Sequence, residues 1–332
     1  MKFHKFTGPL LAAALVLTLS TTAQAADKKT IGMVFKVLNN AFTPPLQQGC
    51  AQAAKDLGVE CIFVGPTEYN EAQEVQMLQD MIQRGVDGLA VSAANPKAMA
   101  KALQQAKDKG IPVVMFDSDV LEEDRGVRLT FIGTDNYAFG AELAKAVLAT
   151  KKSGGTVCIQ SGAAASLNLN DRVQGIRDTL AGVSKDKTVK RLTGQNGWTE
   201  PAGCPVYNND DVRLAAQQVN DVFTSQPKLT TFIAVGGWAQ YAPEAYKKAV
   251  ELQKDRVASR DLVISFGDNF APQMPLLKAG LSHFNIGQRP YDMAYTAVKS
   301  LVDVWGGKKL PPMITTGFEI CTPDTADTCG KK

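Results

Sequence analysis

The sequence lacks the short motifs that mark the commonest nucleotide-binding and hydrolytic enzymes. It contains no G-x-x-x-x-G-K-[ST] phosphate loop, no H-E-x-x-H zinc site and no G-x-S-x-G nucleophile turn. The segment Gly162 to Ser166, which follows a predicted strand, lacks the second glycine of a dinucleotide-binding loop. Asp117 and Asp268 stay open as a carboxylate pair for glycoside processing, because the sequence does not fix their separation. We therefore expect no catalytic residue and no cofactor.

Histidine and clustered basic residues are also scarce. The chain has 2 histidines among 332 residues and no C-x-x-C pair, so no metal-ligating residue is predicted. The formal net charge is +3, and lysine and arginine form no block in the sequence. Nucleic acids and acidic membrane surfaces are therefore not expected as partners.

The first 25 residues have the features of a secretory signal peptide. Lys2 and Lys5 precede an apolar run, Leu10 to Leu19, and Ala23-Gln24-Ala25 supplies the small residues of a cleavage site. A membrane anchor is disfavoured because the run is much shorter than the roughly 20 residues that span a bilayer. No cysteine lies at the cleavage site to carry a lipid. We expect an exported, periplasmic protein whose mature chain begins at Ala26.

Six cysteines follow the leader, and an even number in an oxidising compartment predicts disulfides. Proximity in the sequence favours the pairs Cys50 with Cys61 and Cys321 with Cys329. Cys158 and Cys204 then remain as the third pair. A buried free thiol stays open as an alternative for Cys158, which lies within the apolar run Val157 to Ile159.

Short apolar runs alternate with longer amphipathic stretches from Thr30 onward. The first predicted strands are Ile31 to Val37, Cys61 to Val64, Gly88 to Val91 and Val113 to Phe116, and the helices between and around them are Pro44 to Leu57, Glu71 to Arg84 and Lys97 to Lys109. Strands so uniformly apolar are buried on both faces. The pattern therefore predicts a parallel sheet with helices on either side.

The alternation then repeats. The later predicted strands are Thr156 to Gln160, Thr231 to Val235, Leu262 to Phe266 and Ser282 to Ile286, and the later helices are Asp171 to Leu180, Asp211 to Phe223 and Tyr241 to Leu252. The stretch Thr193 to Asn209 is rich in glycine and proline and predicts a long loop. A second α/β lobe follows from this repetition.

These elements predict an α/β fold of two doubly wound parallel-sheet lobes joined by a multi-strand hinge. Leu129 to Ile132 is expected to end the part of the chain that first builds the N-terminal lobe, and the helix Tyr291 to Trp305 is expected to return to that lobe. The candidate crossings are Gly133 to Asp135, Gly287 to Arg289 and Thr315 to Gly317. The expected N-terminal lobe is 26–134 plus 289–315, and the C-terminal lobe is 135–288 plus 316–332.

Five short segments occur in a particular order and spacing along the chain. They are Val37 to Phe42, Val114 to Asp117, Asn170 to Gly175, Ser265 to Asp268 and Ile286 to Pro290. This series resembles the ribose-binding-protein branch of the type I periplasmic sugar-binding proteins of ABC transporters, through most of the mature chain. The resemblance implies a cleft between two lobes, lined by Asn40, Phe42, Asp117, Arg172, Asp268 and Gln288.

The positions of these residues in the sequence also predict a ligand-binding cleft. Ligands of open α/β sheets lie beyond the carboxyl ends of the strands, and Asn40, Asp117 and Asp268 each follow an apolar run. A ligand hydroxyl both donates and accepts hydrogen bonds, so carboxylates can accept its proton while Arg172 and side-chain amides donate to its oxygen. A sugar or polyol is therefore the expected ligand.

Each of these residues also has a simpler interpretation. Asp117 and Asp268 are residue types that commonly form turns or helix N-caps, and Asn40 could cap the helix that follows it. Phe42 could belong to the hydrophobic core, and Gln288 could form hydrogen bonds within a hinge. Arg172 could lie on a solvated helix face and pair with Asp171 or Asp178.

The chain departs from the ribose-binding pattern at several points. Ser118 stands where a second arginine is usual, Thr43 replaces a second aromatic residue, and Gly236-Gly237-Trp238 replaces an asparagine. Trp198 and Trp238 are hypothesised to stack on the ligand, with ordinary packing as the alternative. Ribose itself is therefore not expected.

The resemblance also implies partners and a mode of action. A ligand that contacts both lobes would stabilise a closed form, which a membrane permease recognises, with a chemoreceptor as a further candidate partner. A monomer is expected. The effector domain of a transcription regulator shares the expected fold, so fold alone does not exclude it.

Overall fold

The computed structural model describes residues 1–4, 28–185 and 187–330. The predicted leader, its cleavage site and the predicted start at Ala26 fall almost wholly outside these residues. Among the helices that the structure describes, none has the length and apolar character needed to cross a bilayer.

The strands and helices follow one another in the predicted alternation. The strands are β1 Thr30–Val34, β2 Glu60–Val64, β3 Gly88–Val91, β4 Val113–Phe116, β5 Phe131–Gly133, β6 Gly155–Ser161, β7 Trp198–Thr199, β8 Val206–Tyr207, β9 Thr231–Ala234, β10 Val263–Gly267, β11 Phe284–Gly287, β12 Met313–Thr315 and β13 Glu319–Cys321. The helices are α1 Thr43–Leu57, α2 Glu71–Arg84, α3 Pro96–Asp108, α4 Asn136–Thr150, α5 Leu167–Ala181, α6 Val212–Ser225, α7 Pro243–Glu251, α8 Lys254–Ala258, α9 Met274–Lys278 and α10 Pro290–Trp305.

Two separate sheets organise these elements. The first has the order β12-β5-β4-β3-β1-β2, with every pairing parallel. The second has the order β13-β11-β10-β9-β6-β7, with β8 also beside β6 and with β13 antiparallel to β11. Strands β3, β4 and β9 are buried along their whole length, as strands covered on both faces must be. The predicted fold class is confirmed.

Local sequence sets where several helices begin and end. The side chain of Asn70 accepts a hydrogen bond from the backbone of Gln73 at the start of α2, and Asp211 does the same for Arg213 and Leu214 at the start of α6. Helix α2 ends at Gly85, whose φ of 75° is readily adopted only by glycine.

The chain passes between the two sheets at three places. It leaves the first sheet after β5, returns after β11 through α10, which packs against α1, and leaves again after β12. These places coincide with the three segments named as crossings from the sequence.

Two features of the second sheet differ from the sequence expectation. Helix α4 was not predicted, because its many small residues, buried against α5 and the sheet, give only a weak amphipathic pattern. The stretch from Thr193 to Asn209 is not wholly a loop, since it contributes the two-residue strands β7 and β8 to the sheet edge.

The disulfide prediction is confirmed at all three pairs. Bonds join Cys50 to Cys61, Cys158 to Cys204 and Cys321 to Cys329. The free-thiol alternative for Cys158 is therefore wrong. Its bond ties the centre of β6 to the segment that contains β7 and β8, and so anchors the edge of the second sheet.

Candidate functional site

A buried cavity lies between the carboxyl ends of the two sheets. Its lining consists of Phe35, Lys36, Asn40, Phe42, Asp117, Asn168, Leu169, Arg172, Asp210, Gly236, Trp238, Tyr241, Asp268 and Gln288. The cavity is small, with a volume of about 30 Å³, which is room for very few waters. The wall formed by the first sheet and the wall formed by the second therefore lie close together, as in a closed cleft.

Asp117 stands in the first wall, directly after β4. Its carboxylate accepts hydrogen bonds from Ser92 Oγ at 2.8 Å and Asn168 Nδ2 at 3.3 Å, and it forms an ion pair with Lys36 Nζ at 3.1 Å. The backbone φ of 57° is left-handed, a conformation that aspartate tolerates better than most residues. Asp117 thus turns the chain at the strand end and presents its carboxylate to the cavity.

Asp268 occupies the equivalent position after β10 in the second wall. Its carboxylate accepts from Gln288 Nε2 at 2.8 Å, from the Gly237 amide at 2.9 Å and from the Tyr241 hydroxyl at 2.7 Å. Its φ of 68° is again left-handed. Burial and the nearby Asp268 charge raise the pKa of Tyr241 well above its usual value, so the phenol stays a donor.

Arg172, on α5, is fully enclosed beside both carboxylates. It donates from Nε to Asn136 Oδ1 at 2.8 Å, from Nη1 to the Val235 carbonyl at 2.9 Å and from Nη2 to Gln288 Oε1. The guanidinium also lies 4.4 Å from the ring centre of Phe139. Burial lowers the pKa of Arg172, while Asp268 and Asp117 oppose that shift. The alternative of a solvated arginine is wrong.

Asn40, Phe42 and Gln288 complete the predicted set in the cavity lining. Asn40 Oδ1 accepts from the Phe42 amide at 2.9 Å, so the residue shapes the entry to α1 and borders the cavity as well. Phe42 stacks on Phe35 and meets Phe270 edge-on across the cleft. Gln288 accepts from Thr134 and Arg172 and donates to Asp268, and it therefore couples the hinge segment to the site.

The expectation that Trp198 reaches the ligand is wrong. Trp198 pairs with Gly155, the first residue of β6, whereas the cavity lies beyond the carboxyl ends of the strands. Its side chain is completely buried in the core of the second sheet. Trp238, in contrast, is 6% exposed and lines the cavity.

Ser118 is also absent from the cavity lining. The left-handed turn at Asp117 directs the next residue into the protein, where Ser118 is fully buried, and its hydroxyl has no partner among the described residues. Its predicted contact with the ligand is therefore not supported by its position.

Four polar lining residues were missed from the sequence: Lys36, Asn168, Asp210 and Tyr241. Lys36 lay inside the predicted strand Ile31 to Val37, and a lysine within this otherwise apolar run was a usable signal. Asp210 lay between a predicted loop and a predicted helix, and nothing local distinguishes it from its neighbour Asp211, the N-cap of α6.

Helices α4 and α5 approach each other closely enough to fix the position of Arg172. A Cβ atom at Gly140 would collide with the carbonyl oxygen of Arg172, and one at Gly175 would collide with that of Tyr137. Only glycine permits this backbone contact. The pair of helices therefore holds the guanidinium in place through backbone packing.

We expect Gly140→Ala to destabilise the protein by about 1–3 kcal/mol, because the added methyl group forces the two helices apart. Alanine is intrinsically the better helix former, so a loss cannot come from helix propensity. Chemical denaturation measures the effect. Gly126→Ala is the matched control, since a Cβ there meets nothing within 4 Å; equal stability of the two variants would contradict the close-contact argument.

The chain is similar in sequence to known proteins along most of its length. Residues 31–309 match the model of a family described as periplasmic binding protein domain. The chain is 26% identical over 317 residues to the D-allose-binding periplasmic protein of Escherichia coli K12, covering 93% of each chain. It is 30% identical over 186 residues to the D-ribose/D-allose-binding protein of Pseudomonas aeruginosa, covering 51% of this chain and 58% of that one.

Solved structures share the whole architecture. An ABC transporter solute-binding protein from Burkholderia graminis in complex with D-arabinose is 27% identical, with a TM-score of 0.77 over 90% of this chain and 97% of that chain. A solute-binding protein from Agrobacterium vitis with bound D-fucose is 22% identical, with a TM-score of 0.79 over 90% and 97%, and supports the fold alone.

Proposed function

The chain belongs to the periplasmic binding protein domain family, and from that premise we propose that it captures a sugar or polyol between its two sheets and delivers it to the permease of an ABC importer. The observation that carries this proposal is the buried cavity itself, in which carboxylate, amide, guanidinium and ammonium groups converge from the carboxyl ends of both sheets. These groups can replace the hydration of a hydroxyl-rich molecule.

Each sheet forms one lobe of a hinged pair. The N-terminal lobe is 26–134 plus 289–315, and the C-terminal lobe is 135–288 plus 316–332. Contacts across the cleft support this division, since Ser166 Oγ donates to the Ala94 carbonyl at 3.0 Å and Asn168 reaches Asp117. Closure around a ligand would stabilise this arrangement by contacts that the open form lacks.

The periplasm is the proposed location. Three disulfides suit an oxidising compartment, and a leader is expected from the sequence. The relatives above include a protein named as periplasmic. We place the permease of an importer as the partner of the closed form, because the Burkholderia graminis structure carries the name of an ABC transporter component.

A carboxylate-dependent enzyme is the less favoured alternative. A general acid for glycoside hydrolysis must hold a proton, usually in an apolar setting. Asp117 and Asp268 each receive three donors instead, and these donors occupy the carboxylate oxygens. The arrangement suits binding better than proton transfer.

Binding can be tested with D-ribose, D-allose, erythritol and myo-inositol, which represent a pentose, a hexose, a tetritol and a cyclitol. We expect at least one of them to raise the melting temperature, because a ligand that binds only the folded protein stabilises it. Calorimetry then gives the affinity, and NMR of the recovered compound should show it unchanged. Conversion of the compound would indicate an enzyme, and the absence of binding across sugars and polyols would refute the proposal.

A further inference from the structure

Asp210 differs from the other two carboxylates of the cavity. Its side chain is 4% exposed, and Oδ2 has no hydrogen-bond partner among the described residues. The carboxylate lies against Gly162, where a Cβ atom would come within 2.5 Å of Oδ1. Its own backbone amide donates to Asn208, which fixes the turn before α6. The backbone of Asp210 is thus fixed by the turn, and its side chain has an unused acceptor in the cavity lining.

The charges of the cavity do not balance without a further positive group. The ionisable carboxylates are Asp117, Asp210 and Asp268, and the cations are Lys36 and Arg172. Lys36 forms an ion pair with Asp117 at 3.1 Å, and the charge of Arg172 interacts most strongly with Asp268. Three carboxylates thus face two cations, and Asp210 is the one of the three whose buried oxygen, Oδ2, has no partner among the described residues.

An unpaired buried carboxylate is unfavourable, because removal from water penalises the charged form. Burial raises the pKa of Asp210 for this reason, and the charges of Lys36 and Arg172 offset the shift only in part. A ligand hydroxyl could donate to Oδ2 but would leave the surplus charge in place. A protonated amine would both donate and neutralise the charge.

We propose that Asp210 receives a positively charged nitrogen of the ligand, so that the cleft selects amino sugars or amino polyols over their neutral counterparts. The remaining polar groups of the cavity then bind the hydroxyls. This inference rests on the proposed function, and it narrows the ligand to a class that the fold alone does not specify.

Matched ligand pairs test the charge directly. Calorimetry should compare D-glucosamine with D-glucose and D-galactosamine with D-galactose, and include the N-acetyl derivatives, which lack the charge. We expect at least one amine to bind ten-fold or more tightly than its hydroxyl counterpart, and N-acetylation to remove that advantage. Equal or tighter binding of the neutral sugars would overturn the inference and leave the proposed function standing. No binding by any sugar, neutral or amino, would overturn both.

Asp210→Asn tests the residue. It keeps the shape of the side chain and removes the charge, so the ratio of amine affinity to neutral-sugar affinity should fall at least ten-fold. The matched control is Asp211→Asn, one residue away, because asparagine caps a helix as well as aspartate does. A ratio unchanged by Asp210→Asn, or lowered equally by Asp211→Asn, would contradict the assignment. Melting temperatures of both variants show whether they are folded, and the wild-type ligand pairs decide the question if one is not.

Discussion

Replacing Arg172 with alanine is expected to weaken binding by about 2–5 kcal/mol, roughly 30-fold to several thousand-fold in Kd. The reason is that Arg172 is enclosed at the meeting point of both walls and hydrogen-bonds Gln288, which in turn holds Asp268. Without the guanidinium, buried acceptors on the protein and on the ligand lose their donor. Calorimetry with the tightest-binding of the tested sugars measures the change.

Two further variants separate the role of the guanidinium from general effects. Arg172→Lys keeps the positive charge but cannot reproduce three donors in a rigid plane, so it should recover only part of the lost affinity. Arg84→Ala removes an exposed arginine at the end of α2 and should bind as the wild type does. Affinity of Arg172→Ala equal to wild type would show that the residue has no part in binding.

The fold was predictable because its strands are short, apolar and separated by regular helices. Gly88–Val91 and Val113–Phe116 could be placed to the residue, since full burial leaves a continuous apolar run with clear ends. Helix α4 was not predictable in the same way. Its contact with α5 depends on Gly140 and Gly175, which bring two backbones together without any local amphipathic pattern.

The site could be predicted only where a strand end carried the signal. Asp117 and Asp268 follow apolar runs, and the rule that ligands lie at the carboxyl ends of parallel strands places both in the cavity. Asp210 follows a two-residue strand at the sheet edge, whose pairing with β6 depends on tertiary structure. The stacking hypothesis for Trp198 rested on residue type alone, and pairing with Gly155 places that residue at the opposite end of the sheet.

Replacing Trp198 with alanine is expected to cause the largest loss in the free energy of unfolding, because of where its side chain lies. Its side chain is fully buried between β6 and the surrounding core, so Trp198→Ala should lower the free energy of unfolding by about 3–5 kcal/mol. Trp198 Nε1 has no hydrogen-bond partner among the described residues, and the loss is therefore one of packing alone. Chemical denaturation measures it, with Trp198→Phe as the variant that retains part of the buried volume and should lose less.

Ligand affinity discriminates this packing role from the rejected stacking role. Folded Trp198→Ala should bind sugars as tightly as the wild type, because the residue lies away from the cavity lining. Trp238→Ala should show the reverse, with weaker binding, because Trp238 lines the cavity beside Gly236 and is still 6% exposed. If Trp198→Ala instead lost affinity at unchanged stability, the amino-terminal end of the second sheet would have to be coupled to the cleft.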